Sequence, residues 1–542
     1  MSRLRIGVLD LVTKSRPSLY GRVMNANLAS IMPQVVAAWC ERAGHDVQFI
    51  CYTGIEDLAK ELPRELDLVF IGAFTQSAHL AYALSHLFRR RGAVTVLGGP
   101  HARCYPEDSA RHFDYVLGFT DENVIKQVLD ECAPQRPEGV HISAPRQPLT
   151  LPTLPERWKY VEATLKKAPT IKIVPMIGSL GCPYTCSFCI DSTVDYQPLG
   201  FAQLRDDLKF LLTKIPRPIV GWHDPNFGVR FDDYMDAVEA ADPEHRMRHI
   251  AESSLSLLAE AHLVRLKQNG FQAILPGIES WYDMGNKSKT RRTGLDKVNE
   301  VSEHVNMVMR YVPYVQTNFV MGLDCDEGTE PFELTKIFLD KTPGAFPAYS
   351  LLSAFGRAAP LNLEYQRAGR VLPFPFHFLN NNHAMNVRPK NYQWPEFYDG
   401  VIDVSRYSFS WRAIRRRFAA TRTAIPKWIN VLRAVSSEGF GRIKYHTMMR
   451  GKLETDRPLR AFWEGESQVL PEFYRARIQH ELGPFYEYLP LDDGHMHDQN
   501  AYLRATERDG TAGVVTVQRR PRRAAAGAGA EVQQVEVQPQ VM

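Results

Sequence analysis

The sequence predicts an α/β protein with two parallel-sheet domains and a helical appendage, and three observations carry that prediction. Short β-branched runs alternate with amphipathic segments through the first 135 residues, and the alternation resumes at residue 171. A proline-rich, polar stretch without helical period separates the two series. At 542 residues the chain exceeds one ordinary core, while 44% hydrophobic and 11% aromatic content belongs to a globular protein.

In the first series, strands are expected at 5–9, 47–51, 68–71, 94–97 and 115–117, with helices at 28–43 and 77–90. That order describes a doubly wound sheet of the Rossmann or flavodoxin kind over residues 1–135. Residues 136–170 read as a linker. The second series, over 171–380, offers strands at 171–177, 219–222, 249–251, 273–277, 315–320 and 349–352 between helical patterns such as 204–212 and 257–269. Six βα units are fewer than the eight of a closed barrel, so a partial, open (β/α)6 barrel of the TIM type is expected. From 381 to 495 the pattern is helical and basic, with Arg415, Arg416 and Arg417 in a row and Trp411, Trp428 and Trp463 interleaved. Residues 496–542 are low in complexity and are expected to be disordered.

A net charge of +4 is small for this length and implies no nucleic-acid partner. The amino terminus has one short apolar run and no signal-peptide pattern, and no run reaches the roughly 18 apolar residues of a membrane span. A cytoplasmic protein without a transmembrane segment is expected. Eight cysteines are too sparse for a secreted disulfide scaffold. Five of them, Cys40, Cys51, Cys104, Cys132 and Cys325, are scattered and read as ordinary core or surface thiols.

The other three lie in Gly181-Cys-Pro-Tyr-Thr-Cys-Ser-Phe-Cys-Ile190, directly after an apolar strand. Cys182, Cys186 and Cys189 can fold around one face of a cuboidal iron-sulfur cluster, leaving a fourth iron open to a small molecule. A structural zinc site would want a fourth ligand, usually from a second CxxC pair, and none follows. A redox CxxC would leave Cys182 unexplained. CxxxCxφC with Phe188 as its aromatic, between a strand and a helix, resembles the signature of the radical S-adenosylmethionine (SAM) superfamily. The resemblance implies a 4Fe-4S cluster whose open iron holds SAM, and reductive cleavage of SAM to a 5'-deoxyadenosyl radical, with Phe188 among the SAM contacts.

Further candidates follow at strand ends, where barrel enzymes place their chemistry. Trp222-His-Asp-Pro-Asn-Phe227 resembles an element of radical SAM enzymes that carry a cobalamin domain, which implicates Asp224 and Asn226 near the SAM amino group or ribose. Asp-Pro-Asn is also ordinary turn chemistry. Gly277-Ile-Glu-Ser280 resembles the family's GxES element, in which Gly277 admits the ligand closely and Glu279 and Ser280 face ribose hydroxyls or the amino group. Lys287, Lys289, Arg291 and Arg292 suit either the SAM carboxylate or a solvated helix start. After Phe319-Val-Met-Gly322, Leu323 and Asp324 stand where relatives often carry a glycine-x-proline, which leaves the adenine contacts unassigned.

In the first domain, Gly98, Gly99 and Pro100 follow a strand, Thr75, Gln76 and Ser77 follow the preceding one, and Gly118 follows the next. Together they resemble the cobalamin-binding domain that precedes the barrel in one large radical SAM subgroup, which implies cobalamin held by these seven residues. The chain has no DxHxxG motif, and Gly118-Phe-Thr-Asp-Glu122 departs from the usual glycine-glutamate repeat. A degenerate domain that keeps the fold without the corrinoid is the competing reading.

The resemblance implies a cobalamin-dependent radical enzyme that modifies an unactivated carbon, most simply a C-methyltransferase. One SAM would methylate reduced cobalamin and a second would supply the radical. Ring formation or rearrangement is the alternative within that class. The implied partners are a small-molecule substrate, lipid-like or a natural-product intermediate, and an electron donor such as flavodoxin or ferredoxin. A different class, a basic nucleic-acid- or membrane-binding protein with a structural cluster, rests only on the arginine-rich carboxyl-terminal helices. No stable nucleic-acid partner is expected.

Overall fold

The computed structural model describes residues 3–15, 17–282, 292–380, 382 and 384–490. Six parallel strands form the first sheet: β1 (Arg5–Leu11), β2 (Asp46–Tyr52), β3 (Leu68–Ala73), β4 (Val94–Gly98), β5 (Tyr115–Leu117) and β6 (Val140–Ile142), in the order β2-β1-β3-β4-β5-β6. Period-two alternation divides the strand residues between two cores. Ile6, Val8, Leu68, Phe70, Val94 and Val96 face Val35 and Trp39 of the Ile31–Arg42 helix. Leu9, Val69, Ile71 and Leu97 face the opposite side, where Leu84 and Phe88 of the Ala78–Arg90 helix pack. The winding reverses between β1 and β3, so the crevice for a ligand lies at the carboxyl ends of these strands.

Residues 136–170 are not a bare linker. They contribute β6, which pairs with β5, and the 14-residue Leu154–Lys167 helix. Thr153 and Glu156 form a capping box at its start. The strand escaped notice because it is three residues long and mostly exposed. The helix escaped notice because its buried face includes Arg157 and Thr164, which interrupt an apolar stripe. Arg157 donates to Gln34 on the Ile31–Arg42 helix, and the Leu154 amide donates to Asp207 on the Phe201–Lys214 helix, so this segment joins the two sheets.

The second sheet comprises β7 (Ile173–Met176), then after a two-strand hairpin of β8 (Ser179–Leu180) and β9 (Gln197–Pro198), the strands β10 (Ile219–Trp222), β11 (Arg248–Ser254), β12 (Phe271–Glu279), β13 (Tyr314–Met321) and β14 (Phe346–Leu351). β7 and β10 to β14 pair in parallel in chain order, and the edges β7 and β14 do not pair with each other, which is the open six-unit barrel.

Six helices between Trp394 and Leu482 form the appendage. Its core is aromatic: Trp394 Nε1 donates to the Trp463 carbonyl and Trp463 Nε1 to the Tyr474 hydroxyl, which satisfies both buried indoles. Trp411 and Trp428, in contrast, are exposed. The Glu472–Leu482 helix returns to the first domain, where Glu481 meets Lys14 and His377. Residues 496–542 lie outside the described residues. Among the described residues no helix is long and apolar enough to cross a membrane.

Candidate functional site

The cysteine loop leaves the carboxyl end of β7 and is closed at its base by the β8–β9 hairpin. Gly181 begins it at φ +68°, where a Cβ would stand 2.3 Å from the Asp195 carbonyl oxygen; only glycine passes there without a shift. The Cys182 amide donates to the Val194 carbonyl at 3.3 Å and the Cys189 amide to the Cys186 carbonyl at 2.9 Å, fixing the loop's width and its inner turn. The Asp191 amide donates to Cys189 Sγ at 3.4 Å, a contact that favours a thiolate. Cys186 is buried, and Cys182 and Cys189 are half-buried. Among the described residues no three His, Cys, Asp or Glu side chains converge on one ion; three thiolates that each hold a different iron need not. One short loop carrying three sulfurs, one of them already accepting an amide N–H, fits a cuboidal cluster.

Asp224, at the end of β10, braces this loop from behind. Its carboxylate accepts from Ser179 Oγ at 2.6 Å, from the Gly178 amide at 3.2 Å and from the Tyr234 hydroxyl. Burial raises its pKa, opposed by these hydrogen bonds. Asp224 is therefore engaged with the protein around the loop, and its visible role is to position β7 and the hairpin.

Asn226 is different. Its Oδ1 accepts from the Ser254 amide at 2.9 Å, while its buried Nδ2 has no hydrogen-bond partner. A buried, unmet donor at a strand end fits a ligand acceptor. Ser254 is the register partner of Gly277, so Asn226, Ser254 and Gly277 lie side by side across β10, β11 and β12. Register slips between Gly277 and Glu279, and Glu279 takes φ +65°. A Cβ at Gly277 would stand 2.2 Å from Glu279 Oε1, so the carboxylate folds over the glycine. Ser280 is buried, its Oγ accepting from the Tyr282 amide and 3.6 Å from Cys325 Sγ. Phe188 is half-buried and packs on the main core. Arg292 is exposed and faces Glu300 at 3.7 Å, as in a solvated helix start. Lys287, Lys289 and Arg291 lie outside the described residues.

One cavity of about 1100 Å³ runs from the carboxyl edge of the first sheet, past the cysteine loop, into the barrel. Gly98, Gly99, Pro100 and Gly118 line its first part, while Gly181, Ile190 and Asp191 present the shoulders of the loop. Gly99, at φ +94°, lies where a Cβ would stand 3.0 Å from the Ala73 carbonyl oxygen. Thr75, Gln76 and Ser77 do not line the cavity; Phe74 does. Those three form a 3-10 turn packed against Phe376–Phe378, a segment beyond the barrel whose arrival no local pattern announces. His101 follows the Pro100 turn but does not line the cavity. It is buried, 2.7 Å from the Tyr82 hydroxyl, which itself donates to Asp108. Cys104 is a buried thiol pushed up to about 12 by burial, consistent with an unreactive core cysteine.

Two residues that the sequence did not single out tie the domains together at the site. Arg103 Nη1 contacts Asp191 Oδ1 at 3.1 Å, and Nη2 donates to the Ile190 carbonyl at 2.9 Å. At the amino-terminal start of β13, Arg433 donates to the Tyr314 hydroxyl and Gln316 Oε1, and all three line the cavity.

No protein-family model matches the chain. Two curated relatives from Chlorobaculum tepidum do: the bacteriochlorophyllide d C-12(1)-methyltransferase, 22% identical over 357 residues, and the C-8(2)-methyltransferase, 23% identical over 375 residues. Each alignment covers 65% of this chain, and 76% and 80% of the respective relatives. Among solved structures, the radical SAM methyltransferase TsrM from Kitasatospora setae, with cobalamin and a [4Fe-4S] cluster bound, superposes with TM-score 0.52 at 15% identity, covering 85% of this chain and 99% of that one. The cobalamin-dependent SAM radical enzyme OxsB, with aqua-cobalamin and SAM bound, gives 0.52 at 12% identity over 90% of this chain and 84% of that one. Cysteine spacing, domain order and these likenesses agree: the chain has the fold of the solved radical SAM enzymes that bind cobalamin, and it resembles them in its cysteine motif.

Proposed function

We propose that this chain is a cobalamin-dependent radical SAM C-methyltransferase acting on an unactivated carbon of a small molecule. The observation that carries the reading is the single cavity joining the first sheet's ligand crevice, the cysteine loop and the barrel interior. When bound, the cluster and SAM would supply radical chemistry and cobalamin a transferable methyl group. The methyltransferase names of the curated relatives favour methyl transfer over ring formation.

Cys182, Cys186 and Cys189 hold the cluster, and Asp224 fixes the geometry of their loop. Asn226 Nδ2 donates to SAM, Gly277 lets the ligand approach β12, and Glu279, Ser280 and Phe188 complete that side. Gly98, Gly99, Pro100 and Gly118 admit the corrin face. The apolar barrel wall, including Ile173, Ile219, Ile250 and Leu275, keeps water away from the reacting carbon. His223 in the same wall is pushed down to about 4 by burial and is neutral at neutral pH. An electron donor such as flavodoxin or ferredoxin completes the cycle in the cytoplasm.

Anaerobic reconstitution of wild type and of a Cys182/Cys186/Cys189 triple-alanine variant tests this, with iron and cobalt analysis and a reductant-driven assay for 5'-deoxyadenosine. Cluster-dependent deoxyadenosine with stoichiometric cobalt is expected. Deoxyadenosine without cobalt would leave a radical SAM enzyme with a degenerate first domain, and loss of both would end the catalytic reading.

A further inference from the structure

The Ala424–Val435 helix is built inside out for a solvated surface. Its buried residues are Pro426, Asn430, Arg433 and Ala434, whereas Ile425, Trp428 and Val435 are 69%, 64% and 38% exposed. These three, with half-buried Leu432 between them, recur at helical spacing and make one outward apolar stripe. Exposed Trp411 on the adjoining Trp411–Ala420 helix and exposed Leu19 at the start of the Leu19–Met24 helix extend the apolar surface. Ser18 Oγ and Ser437 Oγ, 3.1 Å apart, hold that amino-terminal helix against the appendage.

The same region is strongly basic. Between Asp403 and Glu438 there are eight Lys and Arg residues and no acidic one. Glu438, the carboxylate at one boundary, is taken by Arg433, and Asp340, on a neighbouring helix, by Arg416. Arg412, Arg415 and Arg422 are exposed. Outward tryptophan and isoleucine beside arginines is the arrangement that places apolar side chains below, and cations at, the phosphates of an anionic bilayer. A nucleic-acid groove would instead want its aromatics recessed between the cations.

The cavity opens on this face. Ile425 and Leu28 line it and are also among the most exposed apolar residues of the chain, and Pro426 and Ile429 continue the lining inward. Tyr314, Gln316 and exposed Arg248 add polar groups to its lining. We infer that the Trp411–Val435 helical pair seats the protein on an anionic membrane surface, so that a lipid-like substrate with a polar end passes from the bilayer, polar end first, into the cavity. The seating stands on the surface itself; the entry of a substrate rests on the function proposed above.

Flotation of the purified full chain with phosphatidylcholine vesicles, and with vesicles that also contain phosphatidylglycerol, tests the seating. Wild type is expected to float with the anionic vesicles, less so in high salt, and to stay unbound with neutral ones. An Ile425→Ser/Trp428→Ser pair and an Arg412→Glu/Arg415→Glu pair, all at exposed positions and checked for folding by circular dichroism, are each expected to weaken binding roughly tenfold or more. Absence of flotation, flotation of the variants equal to wild type, or binding of single-stranded RNA in place of vesicles would overturn it. Flotation needs neither cluster nor cobalamin, so its failure would leave the methyl-transfer reading standing, and failed deoxyadenosine formation would leave the seating standing.

Discussion

Arg103, three residues beyond the Pro100 turn of the first domain, grips Asp191, two residues beyond Cys189, at 3.1 Å. The same Asp191 donates its amide to Cys189 Sγ. The crevice of one domain and the cysteine loop of the other are thus held by one two-pronged guanidinium, which also packs over the Phe119 ring. Arg103→Leu is expected to destabilise the chain by about 1–3 kcal/mol, since Asp191 and the Ile190 carbonyl lose a charged donor. The reduced cluster's electron paramagnetic resonance signal should broaden while iron content stays near that of wild type. Arg103→Lys should recover the stability only in part, because an ammonium cannot span both acceptors. An unchanged signal in Arg103→Leu would show that the contact does not reach the cluster.

Gly98 offers a clean probe of the crevice proposed above for the corrin. It lines the cavity, and a Cβ there meets no atom within 4 Å. Gly98→Leu should therefore fold normally, with stability within about 0.5 kcal/mol of wild type. Its side chain would occupy ligand space, so cobalt per chain after cobalamin loading should fall at least about tenfold while iron per chain is unchanged. Equal cobalt in both proteins would place cobalamin elsewhere.

Asp224 is expected to matter through the loop it braces. Asp224→Ala leaves Ser179 Oγ, the Gly178 amide and the Tyr234 hydroxyl without their acceptor, at a cost of about 2–4 kcal/mol. Urea unfolding should show the lower midpoint, and iron analysis a lower cluster occupancy. Asp224→Asn keeps one acceptor oxygen and should fall between the two. Full stability with lost SAM binding would instead make Asp224 a direct ligand.

Asp326 carries a pH signature. Burial pushes its carboxyl up from the ordinary 3.8 to about 7, opposed by amide hydrogen bonds from Leu323 and Gly322. The folded state then holds a proton that the unfolded state has released, so the group's stabilising contribution is present below about pH 4 and is lost as pH rises towards 7. Asp326→Asn keeps an acceptor oxygen for both amides. Its stability relative to wild type should rise across that window by an amount on the order of 2–4 kcal/mol. A difference that does not vary between pH 4 and 8 would contradict this.

The parallel order of both sheets was legible because it rests on local signals. β1, β3 and β4 are apolar on both faces and read as strands from composition alone. The cysteine loop was legible for the same reason, since three cysteines within eight residues stand close whatever the tertiary fold. The Leu154–Lys167 helix was not, because Arg157 is buried against Gln34, a partner 123 residues away. Residues Thr75 to Ser77 had the composition of a ligand loop, yet Phe376–Phe378 lies over them. Composition reports what a loop can bind, not what already covers it.

The sequence by itself determined the spacing of the cysteine triplet, the βα alternation and the helical character of the appendage, all of which depend on residues within a turn or two of one another. Only the tertiary structure decided that Asn226 meets Ser254 beside Gly277, that Arg103 reaches the cluster loop, and that Trp463 is core while Trp411 and Trp428 face outward. Register between strands and the docking of one domain on another are set by side chains far apart in the chain, whose burial is shared, and no local period records it.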